Sequence, residues 1–283
     1  MRTFNPGLPL VAAIIFLASC DQGARNYNLE PEPEKGNLVI AHRGAWKEFS
    51  LPDNSLAALR KAADLGCYGS ECDINLTSDG KVVVLHDGTW QGLVVKNHTY
   101  AELCGAGKLS NGEDIPLLED FLYETVSAPQ ASSIRLWIDC KSLSDAEGGN
   151  EHSSAAARAA AALVRLYHAE DRVAFIAGRI AVWREAQAAA AGDWPVAYMN
   201  YDLAPEKFLS QVSASSRPWA NFNLDGFGCD NDKLAYWEAA GIELSFYNVN
   251  TGEQMDWWMQ FSRRIKACTD YPGALIKKLS PSP

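Results

Sequence analysis

The chain has 283 residues, with 25 Lys+Arg against 35 Asp+Glu, a formal net charge of −10 and an isoelectric point near 5.0. That length buries a core without metal or disulfide staples and fits one large α/β domain or two small ones. The acidic balance argues against a nucleic-acid partner, which needs a basic face to displace counterions. No apolar run reaches the roughly 18 residues that span a bilayer, which excludes a polytopic membrane protein.

Arg2 is the only charged residue before Cys20, and Leu10–Ala18 is an uncharged apolar run the size of a signal-peptide core. Leu17-Ala18-Ser19-Cys20 then resembles the lipobox of bacterial lipoproteins. The resemblance implies cleavage before Cys20 and acylation of that cysteine, which would anchor the chain to a membrane. An ordinary secretory signal with an incidental cysteine is the alternative. Residues 21–36 carry Pro31, Pro33 and few apolar positions, as a solvated tether does. The expected organisation is a leader over 1–19, a lipidated cysteine and tether over 20–36, and one domain over 37–283. The expected location is the bacterial cell envelope, with the domain periplasmic or surface-exposed.

From Asn37 onward, strand-like runs alternate with helical patterns. The strand-like runs are Leu38–Ala41, Cys72–Leu76, Val82–Leu85, Ile134–Ile138, Val173–Ile176, Val196–Asn200, Phe222–Leu224, Ile242–Tyr247 and Ile265–Cys268. The helical stretches include Ser55–Leu65, Pro116–Val126, the Ala-rich Ser153–Tyr167, Ile180–Ala191, Asn231–Ala240 and Gln254–Phe261. Such alternation over about 245 residues predicts a parallel sheet, and the length suits a (β/α)₈ TIM barrel. An open doubly wound sheet is the runner-up, but no Gly-rich phosphate loop follows the first strand. Ser78-Asp79-Gly80-Lys81 reads as a tight hairpin turn that interrupts the alternation. The six cysteines after Cys20 show no CxxC spacing, which argues against zinc. A disulfide is permitted outside the cytosol, with no pairing indicated by spacing.

Two of the five histidines end strand-like runs in the same way: Leu38–Ala41 then His42, and Val82–Leu85 then His86. In a barrel, such positions form the active-site rim. In Glu71-Cys72-Asp73 the two acids share one face of a strand, about 7 Å apart, a spacing that suits a hard cation. In Asp139-Cys140-Lys141 the acid and the base likewise share a face.

In order and spacing, His42-Arg43-Gly44-Ala45, Pro52-Asp53-Asn54-Ser55, Glu71-Cys72-Asp73-Ile74, Thr77-Ser78-Asp79-Gly80 and His86-Asp87 resemble the glycerophosphodiester phosphodiesterase family. Ile115–Glu119, Tyr247-Asn248-Val249-Asn250 and Thr269-Asp270-Tyr271-Pro272 extend the resemblance to nearly the whole domain. The resemblance implies a TIM barrel that hydrolyses glycerophosphodiesters to sn-glycerol 3-phosphate and an alcohol, through a cyclic phosphate of glycerol. It implies one divalent cation, Ca²⁺ or Mg²⁺, on Glu71, Asp73 and Asp139. It implies His42 and His86 as the acid/base pair, with Arg43 and Lys141 on phosphate oxygens. Trp46 and Trp90, each four residues after a histidine, could wall the substrate pocket and hold a quaternary ammonium, or pack at the rim.

Several positions depart from the family pattern. Asp139 and Asp53 stand where glutamate is usual, Tyr247 replaces tryptophan, and Arg179 falls where a serine–phenylalanine pair is common. Asp53 reads either as the cap of the following helix or as a group fixing the site. The stretch 97–114 is short and offers little substrate-contacting structure, and His98, His152 and His168 read as surface residues. Two other functions fit less well: a phospholipase-like enzyme acting on intact lipid, and a non-catalytic lipoprotein that binds a cation or phosphodiester.

Overall fold

The computed structural model describes residues 37–127, 134–199 and 202–280. The leader, Cys20 and the tether lie outside the described residues. Among the described residues no helix is long and apolar enough to cross a membrane.

In chain order the strands are β1 (Val39–Ala41), β2 (Gly69–Leu76), β3 (Val82–Val84), β4 (Thr89–Trp90), β5 (Leu93–Val94), β6 (Arg135–Cys140), β7 (Val173–Ala177), β8 (Val196–Met199), β9 (Trp219–Asn223), β10 (Glu243–Tyr247) and β11 (Lys266–Thr269). β1 pairs in parallel with both β2 and β11, and β2 continues to β6. The run from β6 to β11 is parallel throughout, which closes an eight-stranded TIM barrel. β3 lies antiparallel on β2, joined by the expected turn, in which the Thr77 amide donates to Lys81 O at 2.9 Å.

The barrel strands are apolar on both faces because helices cover the outside and side chains fill the inside. Cys72, Ile74, Leu136, Ile138, Cys140, Phe175 and Phe222 belong to the core beneath the helices. Alternating with them, Ile40, Trp137, Ala174, Ile176, Ala197, Trp219 and Cys268 fill the barrel itself. Trp137 and Trp219 meet edge to face with centroids 4.8 Å apart. They plug the barrel one inward step before Asp139, so the polar side chains above them stand on an apolar floor. At the opposite end Glu243 pairs with Arg217 and Lys266, both at 2.6 Å.

The helices lie close to the expected positions. The Ala-rich stretch is a helix over Gly149–Leu166 that buries Ala156, Ala157, Ala160, Ala161 and Val164. The expected helix at Pro116 begins instead at Leu118, because Leu117 forms an antiparallel bridge with Val83. Short helices over Tyr100–Ala106, Pro205–Gln211 and Pro272–Leu279 were not among the expected stretches. In the last two, proline at the first turn supplies the start signal. The six cysteines from Cys67 to Cys268 are all free thiols.

Candidate active site

The C-terminal ends of the barrel strands open into one cavity of about 440 Å³. His42, Arg43, Glu71, Asp73, His86, Asp139 and Lys141 all line it, so side chains far apart in sequence converge on one volume. β2 and β6 are in register at Asp73 and Asp139, and both strands turn these acids inward. Glu71, Asp73 and Asp139 each present an oxygen within 4.8 Å of the others, and all three are buried. The shorter side chain of Asp139 still reaches the group.

The local chain path explains the placement of the first strand's residues. Arg43 and Gly44 both adopt positive φ, at 53° and 80°. A Cβ on Gly44 would stand 2.6 Å from the Ala58 Cβ, so only glycine fits this turn. The turn aims the Arg43 amide at Glu71 Oε2, 2.8 Å away. The Arg43 side chain pairs with Asp73 (Nε to Oδ2, 3.2 Å) and with Asp53 (Nη1 to Oδ2, 3.1 Å). Asp53 is therefore not the helix cap. Ser55 is the cap, its Oγ accepting from the Ala58 amide at 3.0 Å. Asn54, held at φ 54°, donates from Nδ2 to Asp73 Oδ2 at 2.9 Å and accepts from the Asp73 amide at 3.1 Å. Lys141 lies between two acids, 3.1 Å from Asp73 Oδ1 and 3.0 Å from Asp139 Oδ2.

The three acids divide the electrostatic burden unequally. Burial, then the neighbouring Asp73 and Asp139, push Glu71 well above the usual carboxylate range. Burial also raises Asp139, only partly offset by Lys141. Burial opposes ionisation of Asp73 too, but Lys141, Arg43 and His86 outweigh it and hold Asp73 near about 2. Asp139 Oδ1 is buried with no hydrogen-bond partner. Three crowded carboxylate oxygens, one of them unpartnered, fit the all-oxygen donor set of a hard divalent cation.

Each histidine is fixed through its Nδ1. His42 Nδ1 donates to Asp270 Oδ1 at 2.7 Å, which leaves Nε2 free of that bond and 3.9 Å from Glu71 Oε2. Asp270 Oδ2 accepts from Lys47 Nζ at 2.9 Å and from Asn250 Nδ2 at 3.0 Å. Burial opposes its charge, yet His42 and Lys47 bring its pKa to about 2. An ionised carboxylate only accepts, so the proton on this bond belongs to the imidazole. His86 Nδ1 donates to Asp87 Oδ1 at 2.6 Å. Asn75 Nδ2 donates to Leu85 O at 2.7 Å and Asp87 O at 3.2 Å, fixing the backbone on either side of His86.

Sequence reasoning placed Asp270 in a motif without giving it a role. Its signal was local: it follows a barrel strand by one residue, as His42 does. Neither Trp46 nor Trp90 lines the cavity, so the expected substrate contact gives way to the alternative of packing at the rim. Trp46 lies beyond the left-handed turn at Arg43 and Gly44, beside Lys47. Trp90 packs with Val83, Val95, Leu103 and Ile115 in the small core that fastens β4 and β5 to the barrel. Apolar lining comes instead from Leu143, Ile176, Met199 and Tyr247. His98 and His152 are half-buried, their rings donating to Val94 O at 2.9 Å and Leu76 O at 2.8 Å. His168 is exposed, as expected.

The model of the Glycerophosphoryl diester phosphodiesterase family matches residues 42–273. A glycerophosphodiester phosphodiesterase of Caldanaerobacter subterraneus subsp. tengcongensis is 52% identical over 52 residues, which are 18% of this chain and 21% of that protein. The chain aligns with less than half the length of the curated relatives it matches. Among solved structures, a glycerophosphodiester phosphodiesterase from Parabacteroides distasonis superposes with a TM-score of 0.73 at 28% identity, covering 86% of this chain and 97% of that one. An Oleispira antarctica phosphodiesterase in complex with the product sn-glycerol-3-phosphate shares the fold, with a TM-score of 0.66 at 20% identity over 84% of this chain and 95% of its own. With motif order, barrel and matched span in agreement, the chain belongs to the glycerophosphoryl diester phosphodiesterase family.

Proposed function

We propose that the chain hydrolyses glycerophosphodiesters to sn-glycerol 3-phosphate and an alcohol, using His42 and His86 as a proton-transfer pair and a divalent cation held by Glu71, Asp73 and Asp139. The observation that carries this reading is the convergence of both imidazoles and the three acids on one cavity. The product bound in the Oleispira protein is the product expected here.

The residues divide the work as the chemistry requires. His42 Nε2, its tautomer fixed by Asp270, accepts the proton of the glycerol hydroxyl that attacks phosphorus. His86, supported on Nδ1 by Asp87, gives a proton to the departing alcohol oxygen as the P–O bond breaks. Water then opens the cyclic phosphate, with the two imidazoles exchanging roles. Arg43 and Lys141 place positive charge beside the phosphate oxygens. The cation, when bound, adds further charge neutralisation at the phosphoryl group. Holding the attacking hydroxyl on the same molecule as the phosphate lowers the entropic part of the barrel-site reaction's barrier.

The test is steady-state hydrolysis of glycerophosphocholine by the purified protein with Ca²⁺ or Mg²⁺. His42→Ala and His86→Ala should each lower kcat by about 10²-fold or more, and a chelator should abolish turnover. Full activity in either variant would overturn the assignment of that histidine. Turnover of intact phosphatidylinositol or sphingomyelin alone would favour the phospholipase-like reading. We further propose that Cys20 carries a lipid anchor, on the strength of the Leu17–Cys20 motif.

A further inference from the structure

The cavity extends past the three carboxylates. On the His86 side it is lined by Asp87, Gly88, Ser142, Leu143 and Glu147. Glu147 is held in place from behind: its Oε2 accepts from the Ser144 amide at 3.0 Å and from Ser144 Oγ at 2.6 Å. A Cβ on Gly88 would come within 2.7 Å of the Glu147 carboxylate, so the bare backbone of Gly88 lets that carboxylate stand against the loop that carries His86. Lys96 passes nearby, its Cδ 3.2 Å from where a Gly148 Cβ would be, yet it forms no ion pair with Glu147 among the described residues. Asp87 projects from the same loop with its side chain 70% exposed. The same cavity holds Asp139 and the other acids of the candidate cation site, so this end is continuous with the place where the phosphate would sit.

The proposed reaction assigns a direction to this end of the cavity. If His86 protonates the leaving oxygen, the alcohol departs past Asp87 and Glu147. The Glu147 carboxylate, which lines the same cavity as the buried Leu143, attracts a cation more strongly than water does and repels an anion, whereas Asp87 is already bonded to His86 Nδ1. A neutral polyol gains only hydrogen bonds that water also offers. We propose that this end of the cavity selects diesters whose alcohol carries an ammonium or quaternary ammonium group, with Glu147 as the specificity-determining residue. The proposal rests on the hydrolase reading above and adds the class of the leaving alcohol.

The experiment compares kcat/KM for glycerophosphocholine, glycerophosphoethanolamine and glycerophosphoglycerol in the full chain and in its Glu147→Gln and Glu147→Lys variants. Glutamine keeps the capping geometry, because its amide oxygen still accepts from Ser144. The wild type should favour the two cationic diesters. In Glu147→Gln that preference should fall about three- to tenfold, through KM, and in Glu147→Lys it should reverse. An unchanged ratio in both variants, or a wild type that prefers glycerophosphoglycerol, would overturn the proposal. Calorimetric titration with choline tests the same surface without turnover: binding by the wild type that Glu147→Lys abolishes supports it, and no binding by the wild type overturns it. Choline binding in a wild type that turns over none of the three diesters would overturn the hydrolase reading while upholding the cationic pocket.

Discussion

Asp270 is gripped by four hydrogen bonds with three side chains: His42, Lys47 and Asn250 donate to its carboxylate, and its amide donates to Asn250 Oδ1 at 2.9 Å. A carboxylate so held cannot follow a moving imidazole, so it keeps the His42 ring in one orientation and one tautomer. Asp270→Asn offers an amide that can donate to Nδ1 and reverse the tautomer. The expected result is a kcat lowered by about 10²- to 10³-fold with KM within about threefold of the wild type, read by steady-state kinetics. A matched loss in KM would show that Asp270 acts on binding instead. Asp139 is the other residue whose role depends on one atom. Asp139→Glu should retain the rise in Tm that a saturating divalent cation produces, and Asp139→Ala should lose it. A cation one hundredfold above its Kd contributes about 2.7 kcal/mol to the folded state. At this scale the positions of the histidines, the acids and Lys141 were legible from strand ends and period-two spacing, whereas Arg43 entered only through the family resemblance. Asp270 stood in a motif without a role because its partners His42 and Lys47 are far away in sequence, and Glu147 was missed because nothing in its own segment shows that it stands against Gly88. For Trp46 and Trp90 the sequence left pocket wall and rim packing both open, because spacing from a histidine carries no information about the turn that follows it.

Elements carry these side chains only where the backbone permits. The turn after β1 requires positive φ at two successive residues and contact with Ala58 at the second. Gly44→Ala combines backbone strain with a steric clash, for an expected loss of about 2–4 kcal/mol in a denaturant titration. At the opposite end of the barrel, burial disfavours the Glu243 carboxylate, but Lys266 and Arg217 lower its pKa below the ordinary value. A depressed folded-state pKa means that this stabilisation is complete above the unfolded value and is lost as pH falls through the folded one. Acid-unfolding curves of Glu243→Gln should therefore be flatter below the ordinary carboxylate range than those of the wild type. An identical slope would show that the cluster contributes nothing. The strands were readable because burial on both faces writes an apolar run into the sequence. The first of the two short proline-initiated helices was obscured because seven residues are too few to display a period of 3.6.

At the scale of the whole molecule, closure of the barrel makes the site. β1 must bond to both β2 and β11 before His42, Glu71 and Asp270 can face one another. Alternation of strand and helix indicated this architecture, whereas the β4–β5 excursion, built on two-residue strands, left no pattern to read. If Cys20 is lipidated, Cys20→Ser should move the protein from the membrane to the soluble fraction on fractionation, with kcat unchanged in detergent. The most direct test of the account is ³¹P NMR of glycerophosphocholine incubated with the purified protein and Ca²⁺ or Mg²⁺. The account requires the diester resonance to give way to that of sn-glycerol 3-phosphate, at a rate that collapses on chelation. A diester signal that persists with either cation at saturation, or that decays equally well in chelator, would contradict it.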